Sequence, residues 1–144
     1  MNDFELDPRL AADSHLIADG PLSQLRLMDD ARFTWLLLVP RLADACEWID
    51  ISAQSQALLL AEINHTGNLL RACGPCDKLN LGALGNIVRQ LHVHLLARNR
   101  GDAAWPGPVW GVGSAQRRSL ESRNQQLQLL RGKLQPEFWR PPAC

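Results

Sequence analysis

Two histidines, His92 and His94, lie one residue apart in an otherwise apolar stretch of this 144-residue chain. Side chains alternate between the two faces of a strand, so a strand over 89–98 would place Gln90, His92 and His94 on one face. Such a row can bind a metal, which needs a third and usually a fourth ligand. It can instead supply an imidazole nucleophile with a neighbouring donor or acid, or be a satisfied structural feature. Strand geometry alone leaves all three interpretations open.

The pattern of apolar residues predicts the elements that position this row. We expect a short helix over 7–14, strands over 15–20, 21–30, 33–40 and 89–98, and helices over 52–74 and 114–134. Residues 77–86 are expected to form a short strand and a glycine-containing turn. The second and third of these strands form a hairpin. Asp50 or Ser52 caps the long helix, Gly74 ends it, and Ser114 caps the last helix. Because strands and helices do not alternate regularly, the order favours a single α+β domain with an antiparallel sheet.

Composition limits the classes of function. The chain has 15 basic and 15 acidic residues, and this balance argues against a nucleic-acid partner, though not against a small nucleotide. No apolar run approaches the roughly 20 residues that span a bilayer, so no membrane partner is expected. The acidic N-terminus lacks the apolar core of a signal peptide. We therefore expect a cytoplasmic protein whose four cysteines are thiols rather than disulfides.

The residues around the row resemble the signature of the histidine triad (HIT) superfamily. In that signature three polar positions alternate with apolar ones, usually as His-x-His-x-His-x-x, and residues 90–96 here read QLHVHLL. Asn80 stands ten residues before Gln90, and Gly85 stands five before it. The tripeptide WPG at 105–107 follows the strand. Upstream, an apolar run followed by a helix has the family's order of elements.

The resemblance covers roughly residues 15–111, which we take as the HIT-like domain. The N-terminal segment 1–14 precedes it. A C-terminal helix and tail, 112–144, are expected to pack on the same domain or on a dimer. The resemblance implies a HIT-like antiparallel sheet with a long helix, and a homodimer as the usual assembly.

The resemblance also implies roles for individual residues. His92, the middle position, attacks the α-phosphorus of a nucleotide, and water resolves the nucleotidyl-imidazole that forms. His94 contacts phosphate oxygens and, when protonated, assists the leaving group. Asn80 and Asn86 donate amide hydrogen bonds to the phosphate or leaving group. The implied activity is that of a diadenosine polyphosphate hydrolase or a phosphoramidase. No cofactor is required, although polyphosphate substrates commonly bring Mg²⁺.

Two positions depart from the family pattern or leave it open. Glutamine at position 90 keeps a donor and an acceptor but cannot titrate, so it can orient a group but not relay a proton. The family often places an acidic residue at a strand end to hold the ribose hydroxyls. Asp29 and Asp30 are both near that place, and either can equally be a turn residue. Trp105 is a candidate for stacking on a base.

Other features carry competing interpretations. The motif CGPC at 73–76 is that of a thioredoxin-type redox site, but it follows a helix, whose C-terminal dipole raises a thiol pKa. A zinc site built from these cysteines and the two histidines has enough ligands but would occupy the nucleophile. For Trp110 we expect loop packing, and for Arg98 a solvated charge. A nucleotide sensor without catalysis and a nucleotidyltransferase remain alternatives to the hydrolase.

Overall fold

A computed structural model describes residues 3–143 of the chain. The helices are α1 (Pro8–Asp13), α2 (Ala53–Cys73) and α3 (Leu120–Gly132), and the strands are β1 (Ser14–Asp19), β2 (Ser23–Met28), β3 (Thr34–Pro40), β4 (Lys78–Gly82) and β5 (Val93–Arg98). A short 3-10 helix, Trp48–Asp50, precedes α2. The predicted α+β class is confirmed.

The five strands form one antiparallel sheet in the order β1-β2-β3-β5-β4. β2 and β3 form the predicted hairpin, with Gln24 opposite Val39. β5, which carries His94, lies between β3 and β4, and Leu36 of β3 is opposite Leu95. The strand with the second histidine is therefore held on both sides by backbone hydrogen bonds.

Alternation along β3 explains its unbroken apolar sequence. Leu36 and Leu38 belong to the core under α2 and α3. Trp35, Leu37 and Val39 belong to a second apolar cluster on the other face of the sheet. All five side chains are buried, because both faces of this central strand are covered.

The long helix has the predicted ends. Ser52 is its N-cap, and the Ser52 side chain accepts a hydrogen bond from the backbone N–H of Ser55. The helix stops at Cys73, and Gly74 is its C-cap. A serine cap supplies a partner for one of the free N–H groups in the first helical turn.

The outer edge of β1 is covered by the C-terminal part of the chain. The Arg131 guanidinium of α3 donates to the backbone carbonyls of Leu16 and Ile17. Beyond the helix, Asp19 and Arg140 exchange both backbone hydrogen bonds at 2.8 Å. Within residues 3–143, β4 at the opposite edge has no strand on its outer side. The two edges of the sheet thus differ in how far they are protected.

Two predicted boundaries were wrong. The strand predicted over 89–98 begins at Val93, because the backbone N–H of Leu91 donates instead to the carbonyl of Ala45. The helix predicted over 114–134 begins at Leu120 with Ser119, not Ser114, as its cap.

The residues before α3 follow an extended path, because their backbone pairs with the β2–β3 turn. The N–H of Gln116 donates to the Asp30 carboxylate, and the N–H of Arg118 donates to the Asp29 carboxylate. These tertiary contacts outweigh local helix propensity over 114–119. Among the described residues, no helix is both long and apolar enough to cross a membrane.

Candidate active site

A cavity of about 390 Å³ lies on the face of the sheet opposite α2 and α3. Both histidines line it, together with apolar, acidic and basic side chains from α1, the β2–β3 turn and the loops on either side of β5. These neighbours include Leu10, Asp13, Met28, Asp30, Arg32, Trp35, Asn86, Val109 and Trp110. The volume is in the range that holds a small-molecule ligand.

The ring of His92 is oriented by its own backbone neighbour. Its Nδ1 lies 2.7 Å from the carbonyl oxygen of Gln90. A carbonyl only accepts hydrogen bonds, so Nδ1 carries the proton and donates. In the neutral ring the lone pair is then on Nε2. His92 is therefore held in the tautomer that can attack an electrophile through Nε2.

The ring of His94 is held in the opposite arrangement. The indole Nε1–H of Trp35 donates to Nδ1 of His94 over 2.9 Å, and both side chains are buried. The proton of the neutral ring is therefore on Nε2. Burial, and secondarily the nearby His92 ring, lower the pKa of His94 to about 3. At neutral pH, His94 is a neutral hydrogen-bond donor.

The two rings are close enough to act on one group. Their centroids are 4.8 Å apart, with the planes inclined by 64°. Trp110 packs against His94 with 5.3 Å between centroids. A Cβ on Gly82 would lie 2.9 Å from the Trp110 ring, so glycine lets this indole approach β4. The two imidazoles thus lie side by side in one wall of the cavity, and both are buried.

Residues 9–101 match the family model described as the HIT domain. The chain belongs to the HIT family.

Solved structures agree with this membership over nearly the whole chain. A HIT protein of Sinorhizobium meliloti is 44% identical, with a TM-score of 0.89, and the match covers 93% of this chain and 99% of that one. One from Bradyrhizobium japonicum is 45% identical, with a TM-score of 0.88 and coverage of 92% and 98%. One from Marinobacter aquaeolei is 36% identical, with a TM-score of 0.87 and coverage of 90% and 94%.

A zinc-bound HIT family protein of Mycobacterium smegmatis is 16% identical to this chain, with a TM-score of 0.60 and coverage of 86% of this chain and 87% of that one. At this identity the likeness shows the fold alone. No curated protein matches the sequence.

The side chain of Gln90, which the resemblance predicts to be the first residue of the triad, turns away from the histidine cavity. Its side-chain oxygen accepts from the N–H of Asp7 at 2.9 Å, and its amide nitrogen donates to the carbonyl of Glu5 at 2.8 Å. The Arg9 guanidinium adds a bond to the carbonyl of Ile87. The predicted polar row is therefore broken at Gln90, because this residue lies before β5 and its side chain holds the N-terminal segment.

We expect Gln90→Leu to release this segment while leaving most of the activity. Each lost hydrogen bond contributes about 1 kcal/mol, so hydrogen exchange at the Asp7 amide should accelerate. His92 keeps its partner, which is the backbone carbonyl of residue 90, so turnover should fall less than about tenfold. Gln54→Leu on the exposed face of α2 is the matched control. A loss of turnover as large as that of His92→Ala would instead place the Gln90 side chain in the chemistry.

The other predicted substrate contacts lie in different places. Asn86 borders the cavity. The side-chain oxygen of Asn80 accepts from Arg98 at 2.9 Å, outside the cavity lining. Asp29 accepts from the backbone N–H of Arg118 and does not line the cavity, whereas Asp30 does. The structure thus brings Asn86 to the histidines, and leaves Asn80 and Asp29 in contacts with other parts of the chain.

The two tryptophans of the 99–113 loop differ in their neighbours. The ring of Trp105 lies 5.8 Å from the guanidinium of Arg98 and does not line the cavity. Trp110 does line it and contacts His94. The solvated charge expected at Arg98 was wrong, because this side chain is 1% exposed and pairs with Asp102.

Trp35 and Trp110 are the site residues that sequence reasoning missed. For Trp35 a signal existed, because it alternates with Leu36 and so shares a face with Leu37, which is opposite His94. Only the register of β3 on β5, however, places it against that histidine. For Trp110 the sequence carries no comparable signal, since a loop has no fixed period.

The CGPC segment does not have the environment of a redox site. Cys73 is the last residue of α2 and packs against the core beneath the sheet, as does Cys76. Burial raises the pKa of the Cys73 thiol. Within residues 3–143, no group of three or more His, Cys, Asp or Glu side chains is placed to hold a metal ion.

Proposed function

We propose that this HIT protein is a nucleotide hydrolase that acts through a nucleotidyl group on His92. Its substrate is a nucleoside phosphoramidate or a dinucleoside polyphosphate. One observation carries the proposal, namely the pair of opposite tautomers in one cavity. His92 presents a lone pair on Nε2, and His94 presents a proton on Nε2.

The reaction follows from those two atoms. Nε2 of His92 attacks the α-phosphorus, the bond from phosphorus to the leaving group breaks, and the electron pair departs with the leaving group. Nε2–H of His94 donates to a phosphoryl oxygen as negative charge develops there. Water then attacks the phosphorus and loses a proton to solvent, the P–N bond breaks with its electron pair returning to Nε2, and a nucleoside monophosphate leaves.

The cavity also supports binding of a nucleoside. Leu10, Met28 and Val109 supply apolar surface for a base, and Asn86 supplies an amide for the phosphate or leaving group. Asp30 also lines the cavity, with its carboxylate held by Arg32 and by the backbone N–H of Gln116. Asp29 as the ribose contact, and Asn80 and Trp105 as substrate contacts, stay predictions. Mg²⁺ would enter only as the counter-ion of a polyphosphate substrate.

The test is release of AMP from adenosine 5′-phosphoramidate and from diadenosine tetraphosphate, each with EDTA and with Mg²⁺. We expect AMP release from at least one of these two substrates, and we expect formation of the nucleotidyl-histidine to be as fast with EDTA as with Mg²⁺. Acid-sensitive radiolabel retained on the protein after rapid quenching would identify the nucleotidyl-histidine. Transfer of the nucleotidyl group to added phosphate would indicate the transferase alternative. Nucleotide binding with no turnover would overturn the hydrolase.

A nucleotide sensor is the second candidate, and the position of Gln90 favours it. A side chain committed to the N-terminal segment contributes nothing to proton movement at the phosphate. Such a protein would keep the pocket and lose turnover. Tight nucleotide binding in calorimetry, with His92→Ala binding as well as wild type, would support the sensor.

We also propose that the chain forms a homodimer through β4 and the adjacent face of α2. β4 ends the sheet, while the other edge, at β1, is covered by α3 and the tail. Leu81 of β4 and Leu60 of α2 line an apolar groove beside this edge, and they are 58% and 59% exposed. A second copy would satisfy the open backbone edge and bury the groove together.

Light scattering at micromolar concentration tests the dimer. We expect wild type at twice the 16.0 kDa of one chain, and Leu60→Glu with Leu81→Glu as a monomer, because two charges would be buried unpaired. Leu120→Glu, on an equally exposed leucine of α3, is the matched control and should stay dimeric. A monomeric wild type would exclude the interface.

A further inference from the structure

The hydrogen bond between Trp35 and His94 constrains which protons His94 can carry. Trp35 of β3 is opposite Leu96, and His94 is opposite Leu37, so the two side chains are diagonal neighbours on one face. The indole nitrogen only donates, and it lies 2.9 Å from Nδ1 of His94. Nδ1 must therefore be unprotonated for this bond to exist.

Protonating His94 would add a hydrogen to Nδ1, and this new N–H would point at the indole N–H of Trp35. The bond would be lost, and two donors would oppose each other at a site where Trp35 and His94 are 7% and 5% exposed. A buried donor without an acceptor and a buried charge without a counter-charge are both unfavourable. Both terms favour the neutral ring.

Among the described residues around His94, no unpaired carboxylate is placed to stabilise its protonated form. The rings of His92 and Trp110 and the side chain of Leu37 pack around it. Besides the two histidines, the ionisable groups that line the cavity among the described residues are Asp13, Asp30 and Arg32.

The carboxylates of Asp13 and Asp30 already form ion pairs with arginines. Asp30 pairs with Arg32, and Asp13 pairs with Arg117. Among the described residues, none of the ion pairs includes His94. The low pKa of His94, which falls to about 3 through burial and the neighbouring His92, agrees with this arrangement.

We propose that Trp35 is a positioning residue that keeps His94 as a neutral donor through Nε2–H, so that the leaving group takes its proton from water and not from His94. The inference rests on the proposed function. When the bond from Nε2 of His92 to phosphorus forms, the leaving group departs with its electron pair. An anionic leaving group of low pKa needs no proton, whereas an amine leaving group must be protonated by solvent.

Histidine NMR of the free protein tests the protonation state directly. We follow both proteins from pH 8 down to about pH 3. Wild-type His94 should carry Nε2–H alone between about pH 5 and 8, the range in which an ordinary imidazole changes charge. Trp35→Phe removes the donor, so Nδ1–H should become detectable and the pKa of His94 should rise by at least about one unit, which corresponds to 1.4 kcal/mol. The same titration in both proteins, or Nδ1–H in wild type, would overturn the proposal.

Trp110→Phe is the matched control. It removes an indole from the same histidine, but within residues 3–143 the Nε1 of Trp110 has no hydrogen-bond partner, so the tautomer of His94 should not change. If Trp35→Phe fails to fold, benzothienylalanine at position 35 keeps the ring shape and replaces the N–H by sulfur. It should have the same effect on His94.

A kinetic ratio tests the proton source. We compare a p-nitrophenyl ester of AMP, whose leaving group departs as an anion, with adenosine phosphoramidate. In Trp35→Phe near pH 4, a larger fraction of His94 is protonated than in wild type, so turnover of the phosphoramidate should rise several-fold relative to the ester. An unchanged ratio, with altered NMR, would show that His94 does not set the proton source. No turnover of either substrate by wild type, with the expected NMR, would overturn the proposed function while leaving the tautomer assignment intact.

Discussion

His92→Ala should reduce nucleotide release by at least about 10³-fold, because the attacking Nε2 lone pair is removed and, among the described residues that line the cavity, no other side-chain nitrogen has a free lone pair. The remaining ring, His94, holds its proton on Nε2 and uses Nδ1 as the acceptor from Trp35. It therefore cannot replace the nucleophile. Steady-state turnover and radiolabel retained after quenching are the two measurements, and both should be lost together.

His65→Ala is the control for this variant. His65 lies on α2 and stacks on Phe138, with 3.7 Å between the ring centroids, on the far side of the sheet from the cavity. Its loss should leave turnover unchanged. His92→Ala should unfold like wild type in urea, since the side chain faces a cavity. Wild-type turnover by folded His92→Ala would disprove the nucleophile assignment.

Asp102→Asn should be the most destabilising conservative change near the site. The Asp102 carboxylate accepts from Nε and Nη2 of Arg98 at 2.8 and 2.9 Å, and Arg98 is 1% exposed. The amide would leave a buried guanidinium without its counter-charge. We expect a loss of about 3–5 kcal/mol in the free energy of unfolding and a drop in Tm on the order of 10 °C.

The pH dependence of this loss has a definite sign. Hydrogen bonds from Arg98, more than any other contact, hold the pKa of Asp102 well below its usual value. A carboxyl whose folded pKa is depressed stabilises the protein fully above its unfolded pKa of about 3.9. The difference in stability between wild type and Asp102→Asn should therefore be constant from neutral pH to about 5 and shrink as pH falls below 4.

Asp13→Asn is the matched control for the ion pair. Its partner is Arg117, and these side chains are 57% and 59% exposed. Solvent screens such a pair, so the loss should stay below about 1 kcal/mol. Urea denaturation of the three proteins at pH 7 and near pH 3 makes the comparison. Equal losses of stability in the two variants would show that solvent screens the Arg98–Asp102 pair as much as it screens the exposed pair.

Local patterns in the sequence determined most of the elements and the central chemical idea. An unbroken apolar run ending at Pro40 predicted β3, and a serine followed by helical spacing predicted α2. The spacing of His92 and His94 predicted two imidazoles side by side. These features depend on residues that are close in sequence, where the geometry of the helix or strand alone fixes the direction of each side chain.

Only the tertiary structure decided what each imidazole can do. The donor to His94 is 59 residues away, on a different strand, and the segment that holds the side chain of Gln90 is 83 residues away. The start of α3 depends on carboxylates that are distant in sequence. Tautomers, buried ion pairs and helix starts of this kind depend on partners that folding brings together. The spacing of apolar residues along one helix or strand carries no information about those partners.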